Sequence, residues 1–327
     1  METPQERGDL RAARERPQEH SERSSESGGG EDVESLAVQA RLHRHYLSMI
    51  AEPECFAAAP TLQQQAEIER LERAWLALLD ARSAHFELPA GAAQFRDWYF
   101  EHAARHTELL AGFTSYLEHR ASVSEMALFF AVEEKVDSKF DDLMALAQLG
   151  TSGRVKLTIG DNYWDEMGCG DPSLVHTTLF HTSVTWMREQ LDARGRDQVR
   201  VELPEVYANA NQLLMYGLSR RHAPRLIGAL GVLEQTASQR FSAMVRGCTR
   251  LGVPANVIAY QRIHVGVDHD HGAEWFEHVL TPLAQRSPEL LAEICRGVLT
   301  RCDVAVRYYH TVQAQLLSGE RRRSPAP

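Results

Sequence analysis

The amino-acid sequence predicts an all-α protein with one folded domain. From Val33 onward, apolar residues recur at helical spacing in long segments rich in Ala, Leu, Glu and Arg, separated by short breaks rich in Gly, Pro and Asp. No segment sustains the period-two alternation, rich in β-branched residues, that is typical of a strand. No fixed-period repeat or internal linker divides the chain, so we expect a single helical domain over residues 33–318.

Both ends of the chain are predicted to lie outside this domain. Residues 1–32 are rich in Glu, Arg, Ser and Gln and lack apolar periodicity, which predicts a disordered tail. Residues 319–327 are predicted to be a short basic tail. Between the tails, the periodicity predicts helices at about 33–50, 61–82, 91–119, 122–148, 153–167, 172–190, 203–218, 222–249, 253–282 (bent) and 288–315.

Composition and charge argue against several classes of partner. The formal charge of −10 gives no support to a nucleic acid or an anionic membrane as partner. Five scattered cysteines without a CxxC pair are typical of reduced thiols in a cytoplasmic protein. The N-terminus lacks the apolar segment of a secretory signal, and the longest apolar run, from Met126 to Val132, is too short to span a bilayer.

The stretch from Ile263 to Trp275 carries the first candidate metal ligands. His264, Asp268 and His271 occur at positions i, i+4 and i+7, within about 60° of arc on a helix. Two imidazoles and one carboxylate on the same helical stripe suit iron, manganese or zinc. The alternative is a polar helix face with solvated histidines, which is the better interpretation of this motif taken alone.

Two further carboxylates border apolar helical stripes. Glu133 follows Phe129 by four residues, whereas Glu134 lies about 140° from Phe129 around the helix and is expected to face water. Glu234 follows Leu230 by four residues and has no basic residue three or four positions away. A carboxylate at a core-facing position is costly unless it is paired or bound to a metal. For both residues the alternative is a salt bridge to another side chain.

A helix break adds another carboxylate and another imidazole. Two glycines end one helix just after Glu166, and Asp171 as N-cap with Pro172 as first helical residue predicts that a new helix starts there. His176 would then lie just over one turn into the second helix. Such a break lets both side chains point into one cavity. The alternative is a tight helix–helix corner in which the histidine caps a nearby group.

Together these residues have the ligand chemistry of a two-iron or two-manganese site in a helical bundle. The seven candidates are Glu133, Glu166, His176, Glu234, His264, Asp268 and His271. A Glu-x-x-His motif of ferritin type does not occur twice, so an ordinary ferritin-like arrangement is not supported.

The chain also resembles a known family, the heme-oxygenase-like diiron oxidases and oxygenases, often called iron-containing redox enzymes. The segments that carry the resemblance are FFAVEEKVDSKFDDLMALAQLG, DNYWDEMGCGDPSLVHTTLF, ALGVLEQ and HVGVDHDHGAEW, and they extend from about Leu128 to Trp275. The resemblance implies a compact helical bundle of heme-oxygenase type that binds no heme. It also implies two Fe²⁺ ions as cofactors and O₂ as co-substrate.

By motif, the resemblance assigns metal-ligand roles to Glu133, His176, Glu234, His264, Asp268 and His271. Glu166 resembles an additional carboxylate that some N-oxygenating members use as a seventh ligand, so it is the candidate catalytic residue. Its presence favours oxygenation of an amine.

Three functions remain open at this point. The first is a diiron oxygenase that N-oxygenates a small amine or amino-acid-derived metabolite in specialised biosynthesis. The second is a diiron oxidase that performs oxidative C–C cleavage or desaturation of an aliphatic amino or fatty acid. The third is a non-catalytic helical binding protein. The expected partners of the enzyme are a small-molecule substrate and an external electron donor, with no nucleic acid and no membrane, and a homodimer is left open.

Aromatic and basic residues near the motifs are candidates for a substrate pocket. Candidate walls are Phe129, Trp164 and Trp275, although such residues more often form plain core. One of Arg220, Arg221 and Arg225 could pair with a substrate carboxylate, although a solvated cluster is the better interpretation.

Overall fold

The computed structural model describes residues 31–55, 59–191 and 202–323, with the side chains of all of these except 267–270 and 318–323. Within the described residues the chain forms helices and turns and no strand, which confirms the predicted all-α class. Most of the predicted tail at 1–32, and the last four residues of the predicted basic tail, lie outside the described residues. None of the described helices is both long and apolar enough to cross a membrane.

Twelve α-helices are present in the described residues. In chain order they are α1 Leu36–Met49, α2 Leu62–Ser83, α3 Ala92–His119, α4 Val123–Asp137, α5 Phe140–Gln148, α6 Gly153–Glu166, α7 His176–Glu189, α8 Pro204–Leu218, α9 Ala223–Arg250, α10 Ala259–Trp275, α11 Thr281–Ala284 and α12 Pro288–Arg323. Short 3₁₀ turns lie at Pro53–Cys55, Gly168–Gly170 and Arg220–His222, and a π-helical segment, Phe276–Leu280, connects α10 to α11.

Capping residues begin several of these helices. At the start of α4, the Ser122 hydroxyl accepts a hydrogen bond from the Glu125 backbone N–H, and the Glu125 carboxylate accepts one from the Ser122 N–H. Thr61 and Gln64 form the same reciprocal pair at α2. This capping box satisfies backbone donors that the first turn of a helix leaves without partners.

Two predicted helices differ from the observed ones along part of their length. The predicted helix at 122–148 is two helices, because the backbone at Lys139 leaves the helical region (φ −135°, ψ 14°). The apolar spacing continues on both sides of this break, which is why periodicity did not reveal it. The predicted helix at 253–282 begins only at Ala259, since turns occupy the preceding residues.

The start of α7 was also predicted wrongly. The Asp171 carboxylate accepts hydrogen bonds from the Ser173 backbone N–H (2.9 Å) and hydroxyl (2.7 Å), and the Asp171 carbonyl accepts one from the Leu174 N–H (2.9 Å). Asp171 therefore caps a turn rather than the helix, as Asp does in Asx turns. His176 is consequently the first residue of α7 and not a residue one turn inside it.

The buried apolar residues fall into two clusters with a layer of polar side chains between them. The first cluster includes Leu226–Val232 of α9, and the second includes Ala237–Cys248 of the same helix. The polar side chains lie along the chain between members of the two clusters, and we call them the polar layer: Glu133, Glu166, His176, Glu234, His264, His271 and Arg301. Buried polar groups of this kind need partners or ligands.

Helices α9 and α12 approach each other closely at two glycines. A Cβ atom at Gly228 would lie 2.1 Å from the Ile294 carbonyl oxygen, and one at Gly297 would lie 2.2 Å from the Arg225 carbonyl oxygen. Both neighbours are backbone atoms, so a side chain at either position would force the helices apart. This crossing places Arg301, on α12, beside the middle of α9.

We expect Gly228→Ala to destabilise the protein by about 1–3 kcal/mol, because the added methyl group overpacks the α9–α12 crossing. The matched control is Gly112→Ala in α3, where a Cβ would meet nothing within 4 Å. That change should raise the free energy of unfolding by up to about 1 kcal/mol through helix propensity. Urea unfolding of the three proteins checks this, and a stable Gly228→Ala protein would contradict the close crossing.

Candidate metal centre

Three members of the polar layer converge at one point. Glu166 ends α6, His176 begins α7 and His264 lies in α10, and one donor atom from each falls within 4.8 Å of the other two. Glu166 Oε2 lies 2.9 Å from His176 Nδ1, and Glu166 Oε1 lies 3.7 Å from His264 Nε2. All three side chains are buried. A carboxylate and two imidazoles in this arrangement are a donor set for a transition metal.

A tight turn between α6 and α7 makes this convergence geometrically feasible. Gly168, Cys169 and Gly170 all have positive φ angles (62°, 52° and 90°). A Cβ at Gly168 would lie 2.5 Å from the carbonyl carbon of Leu174, so only glycine fits there. The turn reverses the chain within a few residues and brings the first residue of α7 next to the last residue of α6.

The donor atoms are arranged in a way that fits a metal ion. Although Glu166 Oε2 and His176 Nδ1 are close, their geometry makes no hydrogen bond, and neither atom has another partner among the described residues. His264 Nδ1 lies 2.8 Å from the Tyr260 carbonyl oxygen, which can only accept, so Nδ1 carries the proton. Nε2, which lies on the Glu166 side of the ring, is then the nitrogen of His264 that can bind a metal. The residues present therefore fit a cation between them.

The carboxyl group of Glu166 is ionised despite its burial. Burial raises its pKa, but His176 and His264, which carry positive charge when protonated, outweigh burial and lower the pKa to about 2. Metal binding requires deprotonated carboxylates, so Glu166 is in the required form at neutral pH.

A second group of candidate ligands lies around His271, about two turns after His264 in α10. His271 Nε2 lies 2.9 Å from Asp165 Oδ2, and His271 Nδ1 lies 3.6 Å from Glu234 Oε2. Burial lowers the pKa of His271, but Glu234 and then Asp165 outweigh it and raise the pKa to about 9. His264 and His271 thus face two consecutive residues of α6, Glu166 and Asp165. The partner of buried Glu234 is another candidate ligand and not a surface cation.

Glu133 is placed differently from these two groups. Its Oε1 accepts a hydrogen bond from the Tyr308 hydroxyl (2.6 Å), and its Oε2 forms an ion pair with Arg240. The helix spacing had predicted that Glu133 faces inward, and it is buried, whereas Glu134 is partly exposed and pairs with Arg188. Glu133 is not part of the group within 4.8 Å, and its role as a metal ligand stays a prediction.

The remaining predicted ligand and the predicted pocket residues are placed as follows. The side chain of Asp268 lies outside the described residues. Trp275 is fully buried and donates to the Ile227 carbonyl (3.1 Å), while Trp164 is 53% exposed. Phe129 packs edge-on against another core phenylalanine. Phe129 and Trp275 therefore pack as core residues, and Trp164 lies at the surface. None of the three supplies a donor atom to the two groups described above.

The three arginines singled out from the sequence are all engaged elsewhere. Arg225 binds the carboxylates of Asp80 and Glu293. Arg221 lies 3.8 Å from a glutamate of α2, and Arg220 donates to backbone carbonyls at the end of α5.

Sequence reasoning missed Asp165 and the Tyr260 carbonyl as partners of His271 and His264, respectively. Only the adjacency of Asp165 to Glu166 could have pointed to the first.

Comparison with known proteins identifies the class. A family described as iron-containing redox enzymes matches residues 127–306, more than half of the chain, and the chain belongs to this family. The resemblance stated from the sequence is thereby confirmed. No curated protein matches the sequence.

Two solved structures share the fold. One is a domain of unknown function with a heme oxygenase-like fold from Shewanella denitrificans, with a TM-score of 0.52 and 12% identity over 68% of this chain and 94% of that one. The other is a TenA homolog from Pseudomonas syringae pv. tomato, with a TM-score of 0.55 and 13% identity over 70% of this chain and 99% of that one. The fold is therefore heme-oxygenase-like.

We expect Glu166→Ala to fold but to bind Fe²⁺ about tenfold or more weakly, because loss of a ligand weakens the site at least as much as loss of an outer-sphere partner. Ligand binding to the native state raises Tm, so anaerobic Fe²⁺ should raise the Tm of the wild type and raise that of the variant less. Glu134→Gln, on the partly exposed neighbour of Glu133, is the matched control and should keep the full shift. An unchanged iron affinity in Glu166→Ala would contradict the assignment.

Proposed function

We propose that this member of the iron-containing redox enzymes is a non-heme diiron oxygenase that uses O₂ to oxygenate the nitrogen of a small amine or amino-acid-derived metabolite. The observation that carries the proposal is the buried cluster of Glu166, His176 and His264, whose donor atoms face one another without hydrogen bonds. Family membership supports iron as the metal and a redox reaction as the chemistry.

In this proposal the cluster of Glu166, His176 and His264 holds one iron. The second position lies toward His271 and Glu234, with Glu133 and Asp268 as further ligands implied by the sequence motifs. Bound ferrous ions would supply electrons and a binding site for O₂. Because Glu133 is paired with Arg240, its use as a ligand requires that the arginine give up this ion pair.

Outer-sphere groups set the orientation of both α10 histidines. The Tyr260 carbonyl accepts the Nδ1 proton of His264 and leaves Nε2 for a metal. Asp165 accepts from Nε2 of His271, and Nδ1 faces Glu234 and would lose its proton when a metal binds there. Hydrogen bonds of this kind fix the tautomer of a ligand histidine and raise its basicity. The two histidines therefore present different ring nitrogens from the same helix.

Aromatic side chains exclude water from the cluster. The ring of His264 lies 4.2 Å from that of Tyr260 and 4.7 Å from that of Phe241, measured between centroids. Phe180 packs against Tyr260 in turn (5.1 Å). A dry wall on this side protects a reactive centre from side reactions with water.

The atoms and electrons of the proposed reaction balance as follows. One oxygen atom of O₂ becomes bonded to the amine nitrogen and the other leaves as water, which consumes two electrons and two protons besides O₂. An external electron donor is therefore a proposed partner for repeated turnover.

Glu166 favours N-oxygenation over cleavage or desaturation, because in the sequence motifs it resembles the extra carboxylate of N-oxygenating family members.

The test is a single-turnover reaction of anaerobically iron-loaded protein with ¹⁸O₂ and a panel of amines and amino acids. We expect wild-type product to gain labelled oxygen on nitrogen. Glu166→Ala should lose most of this product, and His176→Ala should lose more, because His176 is an obligatory ligand in this proposal. Glu134→Gln should match the wild type.

Mass spectrometry of the products separates the outcomes. A product that has lost hydrogen or carbon, with no label incorporated, would contradict N-oxygenation and favour the oxidative cleavage or desaturation reaction. Full product from Glu166→Ala would show that the extra carboxylate has no part in the reaction.

A further inference from the structure

A polar cavity of about 50 Å³ is lined by residues of α3, α4, α8, α9 and α12, among them the predicted metal ligand Glu133. Its polar lining is His106, Glu133, Asp137, Asn209, Thr236, Arg240, Arg301 and Tyr309. A single buried water needs about 10–15 Å³ by this measure, so the cavity has room for a few waters or for one carboxylate group. Glu133 forms part of its wall, which connects the cavity to the polar layer.

Arg301 is a buried cation without a counter-ion. It is 5% exposed, and its guanidinium donates to the Asn209 carbonyl (2.9 Å), the Asn209 side-chain oxygen (2.6 Å) and the Gln212 side-chain oxygen (3.4 Å). All three acceptors are neutral, and among the described side chains no carboxylate lies within 4.0 Å of Arg301. By contrast, the buried Arg225 has two carboxylate partners and the buried Arg240 has one. A buried charge with no carboxylate in direct contact is costly, so an anion is expected next to it.

The guanidinium of Arg301 also retains unused donors. It carries five N–H groups, and the three bonds named above use at most three of them. Two free N–H groups suffice for the two parallel hydrogen bonds by which arginine binds a carboxylate.

Two other lining groups lack partners. Asp137 Oδ2 and His106 Nδ1 are buried, and neither has a hydrogen-bond partner among the described residues. Buried polar atoms are nearly always satisfied by protein, water or ligand. These two atoms therefore mark the same cavity as a place where a polar ligand group belongs.

The charge balance of the cavity favours a monoanion. Burial, and then the charge of Glu133, raises the pKa of Asp137 well above its usual range, which favours its neutral form at pH 7. Burial lowers the pKa of His106 to about 4, so it is neutral as well. Glu133 is the ion-pair partner of Arg240, so Arg301 is left with no carboxylate within 4.0 Å among the described side chains.

We propose that this cavity binds the carboxylate of an amino-acid substrate, with Arg301 as its ion-pair partner. The proposal rests on the proposed function for the identity of the reacting group, and it adds that the substrate carries a carboxylate as well as an amine. The carboxylate occupies the cavity, and the amine extends past Glu133 toward the metal centre. Arg301 then selects amino acids over simple amines.

The test uses full-length protein, both metal-free and loaded anaerobically with Fe²⁺. The probes are straight-chain ω-amino carboxylates and n-alkylamines of equal chain length. We expect the amino carboxylates to raise Tm and the alkylamines not to, in both metal states. The metal-free arm excludes direct binding of the carboxylate to iron. Equal shifts with both probe series in the wild type would overturn the proposal and assign the cavity to water alone.

Variants at two buried arginines test whether the amino carboxylates bind at Arg301. Arg301→Gln should bind the amino carboxylates about tenfold or more weakly, since a buried charge partner is lost. Arg301→Lys keeps the charge and should retain part of the affinity, which preserves the test if Arg301→Gln does not fold. The matched control is Arg225→Gln, which removes an equally buried arginine from the Asp80 and Glu293 pair and should lower stability without changing the preference for carboxylates.

Failure of this proposal is distinguishable from failure of the proposed function. Binding of amino carboxylates that depends on Arg301, without oxygenated product from any amine, would support the cavity assignment and contradict the proposed reaction. Oxygenation of alkylamines and amino acids at equal kcat/KM, unaffected by Arg301→Gln, would overturn the cavity assignment and leave the proposed reaction standing.

Discussion

The carboxylate of Glu166, buried between the imidazoles of His176 and His264, is the feature on which the rest of the site depends. An ionised carboxylate in a protein core is costly unless a cation or hydrogen bonds compensate it. Here one histidine is close but not aligned for a hydrogen bond, and the other has its proton on the ring nitrogen that faces a backbone carbonyl. A metal cation between the three side chains would compensate the carboxylate, and membership of the iron-containing redox enzymes makes iron the expected one.

The architecture explains how a layer of charged side chains is tolerated inside a helical protein. The buried residues include two apolar clusters, and α9 contributes both to these clusters and, through Glu234, to the polar layer. The close α9–α12 crossing, which Gly228 and Gly297 permit, provides a rigid support for residues that face the layer from either helix. Rigid support matters because a metal centre and a substrate pocket require side chains held in fixed positions.

Much of the fold and part of the site could be predicted from sequence. Helical periodicity predicted the fold class, and the 100° rotation per residue distinguished buried Glu133 from its partly exposed neighbour. The start of α7 was predicted wrongly because the Asp171 side chain caps a turn. The residue type alone cannot distinguish the cap of a turn from the cap of a helix. Asp165 and Arg301 were missed as functional candidates because their roles depend on contacts with residues far away in the chain, and no local spacing records these.

The most direct test of the central claim is a crystal structure of anaerobically iron-loaded protein with anomalous diffraction data collected on both sides of the iron absorption edge. The account expects an anomalous peak between Glu166 Oε, His176 Nδ1 and His264 Nε2, with metal–nitrogen distances near the roughly 2.0–2.1 Å known for zinc. A second, weaker peak is expected toward His271 and Glu234. Iron bound only at the protein surface, with the Glu166 cluster unchanged, would contradict the account.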